Sequence, residues 1–378
     1  MTNGKLKILF AGDFCTEFPE RIEVSTGLKQ LFDSCDLKLL NFEGPLAHGK
    51  VNSPTGKALP QSKSSPEWCE NNGFNIVSLA NNHALDYGAE GLQHTRQTFK
   101  KSQTIGAGEW EEAYKVKYIT VNDIKLGFIA GTSSDFASLK DWWTDYNKMA
   151  CPWINSTAVN RQINEARDKC DFLFVISHAG LEFMDVPLPE WRDRYRELID
   201  MGADAIIATH PHVPQGTEVY KNKPIIYSLG NFFFDKSEKH RKKYWDNGLL
   251  AVIEIENNQL SHHTIPTLRK NFFIDTDNSA EARKHLDDIT SVLKNDVAYM
   301  KRVNEQVLKF YPMYKTWLLG GFNATEVNFS IKSLRSIAGR LKASLEKPDL
   351  KIAMHQMRED STRWALIRAL KIMSNSNL

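Results

Sequence analysis

No apolar run in this chain approaches the roughly 20 residues that a membrane-spanning helix needs. Near the start, the only apolar stretch is Ile8 to Ala11, far too short for the core of an export signal. The expected compartment is the cytoplasm, with attachment to a membrane surface or a partner left open. Cysteine is sparse and unpatterned. The five residues Cys15, Cys35, Cys69, Cys151 and Cys170 are odd in number and form no C-x-x-C pair. That excludes a disulfide framework and points to free thiols in a reducing compartment. Net charge is nearly absent: 48 Lys and Arg against 46 Asp and Glu leave +2. A general binder of nucleic acid or polyanions is therefore not expected, and any electrostatic attraction must come from local patches. What remains is ordinary globular composition, 42% hydrophobic and 25% charged, over 378 residues, enough for about two domains.

Short apolar runs alternate with amphipathic stretches from residue 5 to about 210. Strands are expected at Lys7 to Ala11, Leu37 to Phe42, Phe74 to Ala80, Phe172 to Ser177 and Ala205 to Thr209. Further strands are expected at Ile225 to Ser228, Leu249 to Glu256 and Leu260 to Leu268. Tyr114 to Asn122 and Ile124 to Ala130 read as a hairpin turning at Asn122-Asp123. Helices are expected from Ser65, as cap, to Asn71, over Glu90 to Lys101, Asn155 to Lys169 and Pro189 to Met201. Strands alternating with helices predict a layered α/β domain, residues 1–268. After about residue 270 the pattern becomes helical: Ser279 to Lys294, Val297 to Phe310, Glu326 to Glu346 and Asp349 to Met373. This predicts an α-helical module, residues 269–378. Leu334, Ile337, Leu341 and Leu345 share one helix face, most simply a packing stripe. From Glu326 onward, ten Lys and Arg stand against five Asp and Glu. A solvated face explains that excess most simply, and membrane-surface or partner contact is the alternative.

Polar residues gather at the ends of the predicted strands, where α/β sheets place ligands. Asp13 follows the first strand in Ala-Gly-Asp, and Glu43 the second in Asn-Phe-Glu-Gly-Pro. Either alone is unremarkable. Asn81-Asn82-His83-Ala-Leu-Asp86 follows the third, and Asp86 is placed to hold the His83 ring in one tautomer. Helix capping by the amides is the plainer alternative. His178 ends one strand, and His210-Pro-His212 ends the next. Pro211 disfavours helix at His210, so both rings are expected on an extended turn, projecting to the same side. Imidazoles beside carboxylates and an amide make an N/O ligand set suited to Mn, Zn or Fe.

Together these stretches resemble the CapA family, named for poly-γ-glutamate capsule synthesis. Its fold looks like that of the calcineurin-like metallophosphoesterases, a β-sandwich flanked by helices. The matching segments are AGDF at 11–14, NFEGPL at 41–46, VSLANNHALDYGAEGL at 77–92, SHAGLE at 177–182, MGADAIIATHPHVPQG at 201–216 and PIIYSLGNFFFD at 224–235. The resemblance implies one or two divalent transition-metal ions on Asp13, Glu43, Asn82, His178, His210 and His212. It implies in-line attack by a metal-bound hydroxide, with His83 as general acid and Asp86 orienting it. Glu182 and Asn231 fall on positions that either support the ligands or face the substrate. Three features depart from the metallophosphoesterase pattern: Cys15 stands where a His is usual, Glu43 where an Asp bridges the metals, and SHAG replaces His-Trp-Gly. They leave the number of ions open.

The function expected is that of a metal-dependent hydrolase of capsule or envelope polymer metabolism, cleaving a phosphoester or an amide. The alternative is a non-catalytic accessory protein that binds an anionic polymer or partner; a nuclease is weaker, given the charge balance. The basic segment Lys236 to Lys243 follows Asn231, which the resemblance places near the metals, so Lys239, Arg241, Lys242 and Lys243 are expected to attract an anionic substrate; a solvated hairpin loop is the alternative.

Overall fold

A computed structural model describes residues 5–53, 58–59, 61–134, 149–235, 241–321, 354 and 357–375. Two sheets form the body. The first is nine-stranded, ordered β2 (Glu23–Val24), β17 (Phe273–Thr276), β16 (Gln259–Lys270), β15 (Asn247–Glu256), β1 (Leu6–Cys15), β3 (Leu37–Phe42), β4 (Ile76–Ser78) and β5 (Gln103–Ile105), with β14 (Asn231–Phe234) also paired to β1. The second runs β12 (Pro214–Tyr220), β13 (Lys223–Leu229), β11 (Ala205–Thr209), β10 (Phe172–His178), β8 (Ile124–Thr132) and β7 (Lys117–Val121). A short ribbon joins β6 (Gly108–Glu109) to β9 (Met149–Ala150). The central strands β1, β3, β4 and β5 are parallel, as are β8, β10, β11 and β13.

Side-chain alternation along the second sheet explains the layering. Phe128, Phe174, Ile176 and Ile207 enter one core shared with Phe10 and Leu39 of the first sheet. The Phe10 and Phe174 rings stand 5.7 Å apart across the two sheets. Leu173, Val175 and Ile206, of opposite parity, are buried on the other face. There α6 (Pro189–Met201) lies against β11 and β13, with α5 (Thr157–Ala166) beside it. Both faces are buried, so these strands read as continuous apolar runs instead of alternating ones.

A repeated device sets the register of the parallel strands. Just before its own strand, each of Asp36, Asn75, Asp171 and Asp204 accepts a backbone N–H at the start of the neighbouring strand. The donors are Lys7 (2.8 Å), Lys38 (2.8 Å), Lys125 (2.7 Å) and Leu173 (2.8 Å) respectively. Each Asx residue also gives its own N–H back to that same donor residue's carbonyl, at 2.7–3.1 Å. The short acceptor side chain thus continues the ladder one step beyond its end. A strand pinned at its N-terminal end delivers its C-terminal end, where the polar motifs lie, to a fixed height.

The remaining helices of the first unit are α1 (Thr26–Asp33), α2 (Ser65–Asn71), α3 (Gly88–Thr98), α4 (Trp110–Ala113) and α7 (Ala280–Ser291). α8 (Asp296–Gly321) and α9 (Asp360–Asn375) follow. Several expectations need correction. Ser65 does not cap α2: it is the first helical residue, and its hydroxyl bonds the Thr16 carbonyl at 3.2 Å. β1 does not end before Gly12 but continues to Cys15 through a register shift between Ala11 and Asp13. The domain boundary expected at 268 falls inside continuous structure. β17 pairs with β16 and β2, and the first compact unit extends to Tyr299, the second covering 300–378. The helix expected at 326–346, with its Leu334, Ile337, Leu341 and Leu345 stripe, lies outside the described residues. Among the described residues, no helix is long and apolar enough to cross a membrane.

Candidate metal centre

The site forms at the C-terminal ends of β1, β3, β10 and β11, beside the loop after β4. Its first element depends on Gly12. A Cβ there would lie 2.0 Å from the Gly230 carbonyl oxygen, so only glycine lets β1 and the start of β14 meet. The Asp13 N–H bonds that same carbonyl at 3.0 Å, and the kink turns the Asp13 carboxylate into the interior, fully buried. Glu43, just past β3, is also fully buried. Asp13, Glu43 and His212 each offer a ligand atom, all three within 4.8 Å of one another.

A second group adjoins the first. His178 Nε2 lies 3.0 Å from both Asn82 Oδ1 and His210 Nδ1, and 4.0 Å from Glu43 Oε1. Glu43 Oε1 is also 3.7 Å from His212 Nε2, so its carboxylate faces both groups. All six residues expected to be ligands therefore converge. The backbone that presents two of them is not the extended turn expected. His210 and His212 take φ of +97° and +58°, left-handed conformations that bulky side chains seldom adopt. The His210 N–H bonds Asp13 Oδ2 at 3.1 Å, which holds the strained turn against the first sheet.

Burial disfavours the charged forms of Asp13, His178, His210 and His212. It pushes His178 and His210 well below the ordinary imidazole value, and the neighbouring histidines push the same way. It carries His212 down to about 3, against the pull of Asp13. Burial likewise raises the Asp13 carboxyl, opposed by His212 and by hydrogen bonds from Asn41, the His210 backbone and Thr209. Neutral imidazoles keep lone pairs to donate, and two carboxylates out of reach of water call for a compensating cation. Three imidazoles, two carboxylates and an amide oxygen fit Mn, Zn or Fe. Cys15 is not in the three-residue group. It packs with Phe234 and Trp245, and burial, with Glu43 close by, holds its thiol protonated.

His83 lies at the edge. Its side chain is 29% exposed, and its Nδ1 is 2.9 Å from the buried Asp86 Oδ2. The Leu59 N–H bonds that same oxygen at 2.9 Å, so the carboxylate is held on two sides.

Other expected site residues fall elsewhere. Asn231 Oδ1 meets His212 Nδ1 at 3.0 Å and its Nδ2 bonds the Trp245 carbonyl, so of the two expected places it takes the one that supports a candidate ligand. Glu182 is half-buried in the connection after β10. Arg241 pairs with Asp246 at 3.3 Å, Lys242 and Lys243 are exposed, and Lys239 lies outside the described residues.

Sequence reasoning missed the braces. Asn81 Nδ2 bonds the Phe42 carbonyl at 2.9 Å, while its Oδ1 accepts the Gly44 and His83 N–H groups. It ties the Glu43 loop to the His83 loop. Gln61 Nε2 bonds the Phe14 and Glu43 carbonyls at 2.9 and 3.1 Å. Thr209 Oγ1 lies 3.0 Å from His178 Nδ1. Of these, only Asn81 carried a signal, its place in the Asn-Asn-His run.

Residues 8–236 match the model of a family described as bacterial capsule synthesis protein PGA_cap. The "PGA biosynthesis protein CapA" of Bacillus subtilis (strain 168) is 34% identical over 218 residues, 55% of this chain and 56% of its own length. The "Capsule biosynthesis protein CapA" of Bacillus anthracis is 34% identical over 171 residues, 43% of this chain and 41% of that protein. A Mycobacterium tuberculosis protein described as "Probable polyglutamine synthesis accessory protein" is 25% identical over 171 residues, 42% of this chain and 45% of its own. The chain thus spans about half the length of the curated relatives it matches. With more than half of its residues inside the family model, the chain belongs to the bacterial capsule synthesis (PGA_cap) family.

Proposed function

We propose that the chain is a metal-dependent hydrolase of capsule-polymer metabolism, cleaving a phosphoester or an amide in an anionic substrate. The observation that carries this reading is the meeting of Asp13, Glu43 and His212 within 4.8 Å, fully buried or nearly so. A divalent cation bound there would lower the pKa of a water and offset charge on the substrate. Asp13, Glu43, Asn82, His178, His210 and His212 would hold it. His83 would protonate the leaving group from Nε2, while Asp86 keeps the ring in place and stabilises its charged form. Exposed Lys242 and Lys243, close after β14, would draw the anion to the rim.

The second reading, a non-catalytic accessory that binds an anionic polymer or partner, draws on the accessory description of the mycobacterial relative. One experiment separates the two. The purified protein is loaded with Mn(II) or Zn(II) and assayed on aryl phosphates and poly-γ-glutamate, beside a His210→Ala/His212→Ala double variant. Metal bound by the wild type alone, with turnover, supports the hydrolase. Metal and polymer binding without turnover supports the accessory role. Equal metal content in both proteins removes the metal reading.

A further inference from the structure

Most left-handed residues other than glycine sit in hairpin turns, at Asn122-Asp123, Lys221-Asn222, Asn257-Asn258 and Asn271. The rest, among the described residues, are Phe183, His210, His212 and Tyr244, with φ of +67°, +97°, +58° and +66°. These four belong to one place. His210 and His212 are candidate ligands, and the Phe183 ring stacks on His212 with centroids 6.4 Å apart. Tyr244 precedes Trp245, whose ring is 4.9 Å from that of His212. Strained backbone persists only where surrounding contacts hold it.

Two of the holding contacts are backbone N–H bonds: His210 to the Asp13 carboxylate at 3.1 Å, and Phe183 to the Pro211 carbonyl at 2.8 Å. Tyr244 is different. It stands third in the turn 242–245, closed by the Trp245 N–H on the Lys242 carbonyl at 3.1 Å. A positive φ in that place favours glycine or asparagine, so the turn itself gives no reason for a tyrosine. The ring supplies one. It lies flat against His285 of α7, with centroids 3.9 Å apart and planes 17° from parallel. The next residue then supports His212 twice. The Trp245 ring packs on the imidazole. The Trp245 carbonyl also accepts the amide N–H of Asn231, whose Oδ1 meets His212 Nδ1 at 3.0 Å. His285 lies beyond residues 8–236, the part that matches the family model.

We propose that Tyr244 and His285 are positioning residues: their stacked rings pin the turn 242–245, so that α7 holds His212 in place for a cation. This rests on the metal reading given above. The test is Zn(II) affinity by calorimetry on the full-length protein, beside its thermal melt. Tyr244→Gly suits the turn better than tyrosine does, so it should melt close to wild type yet bind zinc about 10-fold more weakly. His285→Ala should weaken zinc to the same extent, and His285→Phe, which keeps a flat ring, should restore it. The double variant Tyr244→Gly/His285→Ala should be no weaker than either single one, because both changes remove the same contact. The two His285 variants carry the test should Tyr244→Gly not fold. Wild-type zinc affinity in Tyr244→Gly, or equal weakening by His285→Phe and His285→Ala, would overturn this proposal and leave the metal reading standing. Zinc uptake by the wild type no greater than that of His210→Ala/His212→Ala would overturn both.

Discussion

Asn82 and His83 are chain neighbours with different surroundings. Asn82 Oδ1 points at the buried His178 Nε2, whereas His83 stands partly exposed on Asp86. The separation predicts separable effects. His83→Asn should keep the metal content of the wild type while turnover falls about 10²- to 10⁴-fold; metal analysis and steady-state kinetics on the same preparation check both. Loss of the metal would make His83 a ligand, and unchanged turnover would leave it a bystander. At this scale the candidate ligands stood out because few side chains bind cations, and several lay at the ends of apolar runs. Asn41, Gln61 and Thr209 did not. Their work depends on partners far along the chain, and a lone polar residue near a strand carries no mark of what it will face. The left-handed turn at His210 and His212 was equally hidden. It follows from the bond between the His210 N–H and Asp13, a contact between the two sheets.

Among elements, the long buried strands and the helix over Pro189–Met201 were readable because length and apolarity coincide there. The strands β2, β5, β14 and β17 were not read, being only two to four residues long and made by pairing more than by propensity. The Asx residues before the parallel strands make a prediction here. Asp204→Ala leaves the Leu173 N–H without its acceptor and should lower stability by about 1–3 kcal/mol, read from a shift in urea midpoint. Asp204→Asn keeps an oxygen in place, as Asn75 does before β4, and should lie much closer to wild type. An alanine variant as stable as wild type would mean that this side chain does not set the register.

For the molecule as a whole, the boundary matters most. Residues 269–299 belong to the first unit for concrete reasons. A Cβ on Gly216 would come within 2.1 Å of the Ile289 carbonyl oxygen, so β12 and α7 pack backbone to backbone. Arg192 of α6 bonds the Leu293 carbonyl at 2.7 Å, and the Tyr299 hydroxyl bonds the Pro187 carbonyl at 3.0 Å. A fragment ending at 299 should therefore unfold cooperatively. One ending at 268 loses β17 and α7 and should be much less stable or insoluble, as thermal melts of the two would show. Equal stability of the two fragments would restore the boundary at 268.

The sequence by itself determined the α/β class, the run of buried strands and the identity of the candidate ligands. These depend on local apolarity, spacing and side-chain chemistry, all of which are properties of short segments. Only the tertiary structure decided where the first unit ends, the left-handed turn that carries His210 and His212, and the amide braces between loops. Each of these rests on a contact between segments distant in the chain. The energy of such a contact exists only once both sheets are in place.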